Sequence, residues 1–187
     1  MERKKMAHAI GLIAWGYLFL YFNLNLGSLN LIPNWVGYLM MGKAIKELKE
    51  ASPAMDLLGP LCILLAALEM WFWTLTLIGI NSQHYLLQLL SLLLAVAALY
   101  FHFQLLTNLV EALGRAGETW RKELLNLRTV RTVLAAVMAL PVLWKEHFAV
   151  TVILSIAGVL VGISISAVLF WIRNALFKSL CPAEEKE

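Results

Sequence analysis

Charge is what this chain has least of: Asp, Glu, Lys and Arg together make up 14% of its 187 residues. A water-soluble domain covers its surface with about a quarter charged residues, so a solvated globule is excluded. Cysteine is almost missing as well. Cys62 and Cys181 provide no disulfide framework and no metal-ligand spacing. The chain has no phosphate-cradling Gly-rich loop ending in Lys, no GxGxxG after a strand, and no HExxH, GxSxG or CxxC. Its basic residues fall in short clusters without interleaved aromatics, which excludes a nucleic-acid surface. No internal repeat or low-complexity tract organises the chain. No cofactor and no metal is expected.

What is present is hydrocarbon. Apolar residues make up 61% of the chain, with a mean hydropathy of +0.76. Runs near the length of a membrane span recur with short connections between them. The sequence predicts an all-α integral membrane bundle of six transmembrane helices with short loops and one cytoplasmic amphipathic segment. The spans are Met6 to Phe22, Pro33 to Leu48, Leu57 to Ile80, Tyr85 to Val110, Thr132 to Trp144, and Phe148 to Ile172. The first follows a basic flank but lacks a small-residue cleavage site, so it reads as a retained helix. Trp120, Leu124 and Leu127 share one helical face, with Arg121, Lys122, Glu123 and Arg128 on the other. That is the amphipathic segment, and it can run on into the fifth span. Residues 1–180 form one transmembrane domain and 181–187 a polar tail.

Basic residues then orient the bundle. With both termini cytoplasmic, every Lys and Arg falls on the inner side except Lys145, with Arg128 and Arg131 counted among the inner anchors. The runner-up topology makes the short, Pro141-containing fifth run re-entrant and flips the tail. The expected location is the cell membrane, and the expected partners are the lipid bilayer and a small-molecule solute or other membrane subunits.

Three features point to function. The first is the joint between spans one and two, where Asn23, Asn25, Asn30 and Asn34 sit with Gly27, Ser28 and Pro33. Both flanking runs are short for a hydrocarbon core of about 30 Å at 1.5 Å per residue. Either the bilayer thins there, or the joint dips below the outer surface and walls a pocket; the alternative is an ordinary extracellular loop with turn-forming asparagines. Non-helical backbone at membrane depth is tolerated only inside protein or along a wet cavity. The second is Glu69, deep in the third span with Trp73 on its stripe; an acid there costs roughly 2.5–3.5 kcal/mol and marks a site by default. The third is a stripe of His84, Gln88, Ser91, Ala95 and His102 on the fourth span, expected to turn inward. Gly158 and Gly162 bring another helix close to the sixth span. Glu69, Trp73, Asn23, Asn25, Asn30, Asn34, His84, Gln88 and His102 are the candidate ligand-binding residues.

The run from Asn25 through Gly27, Pro33 and Gly37-Tyr38 to Leu39 resembles a segment of small uncharacterised multi-span membrane proteins of Gram-positive bacteria. Their pattern is Asn-Leu-Gly, then Leu-Pro, an acidic residue and Gly-Tyr-Leu. Asn34 takes the acidic place here, which weakens any proton or cation role at that position. Size and span number also resemble the substrate-binding subunits of energy-coupling-factor vitamin transporters, in architecture only. Neither resemblance carries over a functional residue. The leading expectation is a solute-binding or transport component with an outward-facing polar cavity. The alternatives are an intramembrane enzyme using Glu69 with His102 or His84, and a structural or assembly subunit.

Overall fold

The computed structural model describes residues 3–22, 25–26, 29–30, 33–79, 85–114, 118–140 and 148–179, with backbone alone at 25–26, 29–30 and 148. It is a bundle of six α-helices: α1 Arg3–Tyr21, α2 Asn34–Leu48, α3 Leu58–Leu77, α4 Tyr85–Leu113, α5 Glu118–Ala139 and α6 Phe148–Lys178. Between α1 and α2 lies a short antiparallel ladder of β1 (Asn25–Leu26) and β2 (Leu29–Asn30), pairing Asn25 with Asn30 and Leu26 with Leu29. A 3-10 turn, Pro53–Met55, leads into α3.

Local chemistry sets the helix ends. Pro33 is held extended at φ −71°, ψ 138° and precedes the first helical residue of α2, one position earlier than a first-turn proline. Gly79 and Gly114, at φ +78° and +49°, take the left-handed conformation that stops α3 and α4.

Each helix packs on its neighbours in the chain, and α6 returns to α1, so the six close into a ring. Neighbours run antiparallel. Along α1 and α6 the paired positions are Arg3 with Ser179, Gly11 with Arg173, Trp15 with Phe170 and Tyr21 with Gly162. Along α1 and α2 they are His8 with Glu47 at 2.9 Å and Gly16 with Gly37. Trp120 with Trp171 and Leu134 with Gly158 set α5 against α6. The two glycines of the expected small-residue face are thus both used within the chain, under Leu134 and under the ring of Tyr21.

Among the described residues, three helices are long and apolar enough to cross a membrane: Pro53–Leu77, Tyr85–Leu113 and Ala149–Lys178. That is three, and not the six expected from the sequence. The other three fall short for visible reasons. Helix α2 has only 15 residues, α1 opens on Arg3, Lys4 and Lys5, and the first half of α5 is charged. The amphipathic segment is the first half of α5 itself, with Leu124 fully buried and Trp120 against Trp171. Pro141 to Trp144 lie outside the described residues.

The core occupies one end of the ring. Ile10, Ile13, Met41, Ile45, Leu65, Leu105, Leu109 and Leu169 are buried there. At the other end Trp71, Leu77, Leu86, Leu93, Ile153 and Leu160 are exposed along α3, α4 and α6. Uncovered apolar surface on that scale belongs to lipid or to an interface, not to water.

Helices α1 and α2 meet backbone to backbone. A Cβ on Gly37 would lie 2.7 Å from the Gly16 carbonyl oxygen, and one on Gly16 would lie 2.9 Å from that of Gly37. Backbone meets backbone, so neither helix can give way. Gly37→Val should lower the unfolding free energy by about 1–3 kcal/mol, the usual cost of overpacking. At Gly59, where an added Cβ meets nothing within 4 Å, Gly59→Ala should leave stability level or raise it by about 0.5–1 kcal/mol. Denaturation in detergent followed by circular dichroism separates the two; a Gly37→Val protein as stable as wild type would contradict this packing.

Candidate functional site

The Gly16–Gly37 contact places the next residue on each helix, Tyr17 and Tyr38, beside the same histidine. The Nδ1 of His102 lies 3.2 Å from the Tyr17 hydroxyl and its Nε2 lies 3.3 Å from the Tyr38 hydroxyl. His102 is 1% exposed, and the Tyr17, Tyr38 and Phe101 rings pack around it at centroid distances of 5.3, 5.7 and 5.1 Å. A neutral imidazole has one donor and one acceptor nitrogen. One phenol accepts from the N–H while the other donates to the bare nitrogen, so both ring nitrogens are satisfied. Across the same interface the Cys62 thiol donates to the Tyr38 carbonyl at 3.0 Å, joining α3 to α2.

One helical turn further toward the joint lies a second polar level. Asn34, a turn before Tyr38, donates through Nδ2 to Oε2 of Glu69 at 3.4 Å. Tyr21, a turn after Tyr17, accepts a 2.8 Å hydrogen bond from Nε of Arg131 on α5. The Arg131 guanidinium also stands 6.0 Å from the ring centroids of Tyr17 and Tyr21. Glu69 on α3 and Arg131 on α5 therefore flank the place where the chain leaves α1 and enters α2.

The depth of this level follows from helix lengths. Tyr21 sits on Gly162, roughly 21 Å below the start of α6 at 1.5 Å per residue. His102 lies roughly 26 Å below the start of α4, and Glu69 roughly 12 Å below the end of α3. Helices α1 and α2 thus stop part-way along their longer neighbours, and β2 of the joint packs against α3. Four buried polar atoms have no hydrogen-bond partner among the described residues: Asn34 Oδ1, Trp35 Nε1, Arg131 Nη1 and Arg128 Nε. Asn34 Oδ1 and Arg131 Nη1 belong to residues of the second polar level, where unmet hydrogen-bonding capacity calls for an explanation.

Of the residues expected from sequence, Glu69 and Asn34 come together, and Glu69 faces the joint. His102 is buried at the centre, among aromatic hydroxyls and away from any carboxylate contact. Trp73 is half-buried, one turn beyond Glu69 on α3. Asn25 and Asn30 pair in the backbone ladder, and Asn23 and His84 lie outside the described residues. The fourth-span stripe does not turn inward as a whole. Gln88, Ser91 and Ala95 are exposed, and only His102 is buried, because the first half of α4 runs past the buried core.

Sequence reasoning missed Tyr17, Tyr21, Tyr38 and Arg131. Two tyrosines one turn apart on α1 were the available signal. Arg128 and Arg131, expected as cytoplasmic anchors, point into the bundle. Arg128 donates to the Thr107 hydroxyl at 2.8 Å and stands 4.2 Å over the Phe103 ring. No protein-family model, curated protein or solved structure matches the chain.

Removing one phenol from the His102 pair leaves a buried ring nitrogen without its partner, which costs about 1–3 kcal/mol. Tyr17→Phe and Tyr38→Phe should each lose stability on that scale, whereas Tyr100→Phe, at an exposed position, should lose none. Chemical denaturation in detergent reads the difference, and equal stability of all three variants would remove the histidine pairing from the core.

Proposed function

We propose that the chain is a six-span membrane protein of the cell membrane that binds a small polar solute from the outer side, at the joint between α1 and α2. The observation that carries this reading is the Asn34–Glu69 pair, set where α1 and α2 stop short of their neighbours, with Asn34 Oδ1 buried and without a hydrogen-bond partner among the described residues. A carboxyl group and a carboxamide at that position offer both donors and acceptors to a solute. A small-molecule site needs only a few such groups among apolar walls.

The ring supports six spans despite the polarity of three helices. Helix α5 runs antiparallel to α4 and to α6, both apolar enough to span, and so travels through the same layer. Helix α1 does the same between α6 and α2. A helix shielded on both sides exposes less surface to lipid and needs less apolar sequence. The basic clusters at Arg3–Lys5, Lys43–Lys49, Arg121–Lys122 and Arg173–Lys178 then share the cytoplasmic side. An enzyme built on Glu69 and His102 lacks comparable support. The histidine gives both nitrogens to tyrosines, and the acid turns to Asn34. The likeness to small Gram-positive membrane proteins adds no residue to this reading.

Topology is tested by single cysteines in a Cys181→Ser background. An impermeant maleimide added outside should label cysteines at Ser82 and Lys145 and spare those at Arg115 and Lys178. Labelling at Lys178 would end the six-span reading. The site itself is tested by Glu69→Gln, which keeps shape and hydrogen bonding while removing an ionisable group that is costly at this depth. A thermal screen of amino acids, polyamines and vitamins against purified protein should find a stabilising solute, since ligand at 100 times Kd adds about 2.7 kcal/mol. Glu69→Gln should fold as well as wild type and bind that solute at least tenfold more weakly. Unchanged binding would show the acid to be a packing residue.

A further inference from the structure

Arg131 faces a second space, away from Glu69. A cavity of about 300 Å³ lies between α1, α4, α5 and α6, lined by Tyr21, Arg131, Ala95, Ala135, Met138 and Gly158 among others. Apart from the guanidinium and the phenol, the groups named here are small or apolar. From Arg131 the wall of α5 runs outward through Leu134, Ala135 and Met138 to Ala139, roughly 12 Å at 1.5 Å per residue. Ala95 and Met138 are exposed, so the cavity opens at its rim.

We propose that this cavity binds an organic monoanion with an apolar body: a carboxylate seated on Arg131 and Tyr21, with its chain lying along α5. The inference rests on the membrane-spanning reading of α5 and not on Glu69. Its chemistry comes from what the two polar groups have left to give. The Nε of Arg131 is committed to the Tyr21 oxygen at 2.8 Å, while Nη1 is buried with no partner among the described residues. Tyr21 accepts that bond and keeps its own proton to donate. Guanidinium and phenol together thus present donors to one acceptor group. Arg holds carboxylates well, because its N–H groups are fixed in a planar fork.

The charge count narrows the class further. Among the described residues, Arg131 is the one ionisable side chain of positive charge lining the cavity. A monocarboxylate neutralises it, while a dianionic phosphate would leave excess charge in apolar surroundings, which such surroundings penalise. The small residues at Ala95, Ala135, Ala139 and Gly158 make room for a body, and apolar walls select a hydrocarbon one. A free inorganic anion would gain nothing from them.

The probes are decanoate, decanol and acetate, added to the full chain in a nonionic maltoside detergent. Decanoate should raise the unfolding temperature and bind saturably in equilibrium dialysis. Decanol, with the chain and no charge, and acetate, with the charge and no chain, should do so far less. Arg131→Gln should weaken decanoate binding at least tenfold. Gly158→Leu should weaken it equally while keeping the arginine. A Cβ there meets Leu134 only at an ordinary 3.7 Å, so the larger side chain enters the cavity without a backbone clash. If Arg131→Gln does not fold, Gly158→Leu carries the test. Glu69→Gln should bind decanoate as wild type does, so this proposal and the solute site fail separately. Equal effects of decanol and decanoate, undiminished binding in Gly158→Leu, or loss of binding in Glu69→Gln would each overturn the proposal.

Discussion

Two glycines facing each other across an antiparallel helix pair govern the rest of this bundle. Gly16 and Gly37 let α1 and α2 approach until each backbone carbonyl occupies the space a Cβ would need. Association between helices in lipid gains little from hydrophobicity, so close van der Waals contact of this kind matters more there than in water. The consequence is local and specific. Each glycine is followed by a tyrosine, and the near-symmetry of the contact presents both hydroxyls to one histidine of α4. A packing decision on two helices thereby fixes a hydrogen-bonded centre shared by three.

The same contact accounts for the joint. Helices this close can be joined by a short segment, and the β1–β2 ladder satisfies backbone groups that have left the helical pattern. Because α1 and α2 end there while α3, α4 and α6 continue, the ring is tight at its inner end and loses two walls beyond. The inner half has a closed apolar core. The outer half has long helices with uncovered faces. A helical ring with two short members has a floor part-way up, and this floor is polar.

The helical class and most element boundaries were legible in the chain, because apolar runs and Pro33 are local signals. Glu69 and Asn34 were legible too, since a carboxylate deep in an apolar run has few places to go. The tyrosines were not. Tyr17 and Tyr38 look like ordinary interfacial aromatics until the glycine contact brings them together, and that contact is long-range. Gln88 and Ser91 failed for a related reason. A polar stripe predicts an inward face only where another helix is there to be faced, and the length mismatch between α1 and α4 is invisible in either helix alone. Arg131 was read from its neighbours Arg121, Lys122 and Arg128 as part of a basic flank. Its real environment comes from α5 being one continuous helix, which carries it a further two turns or more from the charged end.

Glu69 and Arg131 now stand at one depth, on opposite sides of the same joint. Each alone costs roughly 2.5–3.5 kcal/mol at the centre of a membrane helix. They do not pair directly: Glu69 meets Asn34 and Arg131 meets Tyr21. A direct ion pair would have satisfied both and left a centre that binds nothing. Each is held instead by a neutral partner, and Nη1 of Arg131 keeps a donor unmet among the described residues. Stability alone would favour closing that gap or replacing both groups with apolar residues, since buried charge pairs often contribute little. A carboxyl group and a guanidinium held apart at this floor are the two groups on which the proposed solute and monoanion sites separately rest.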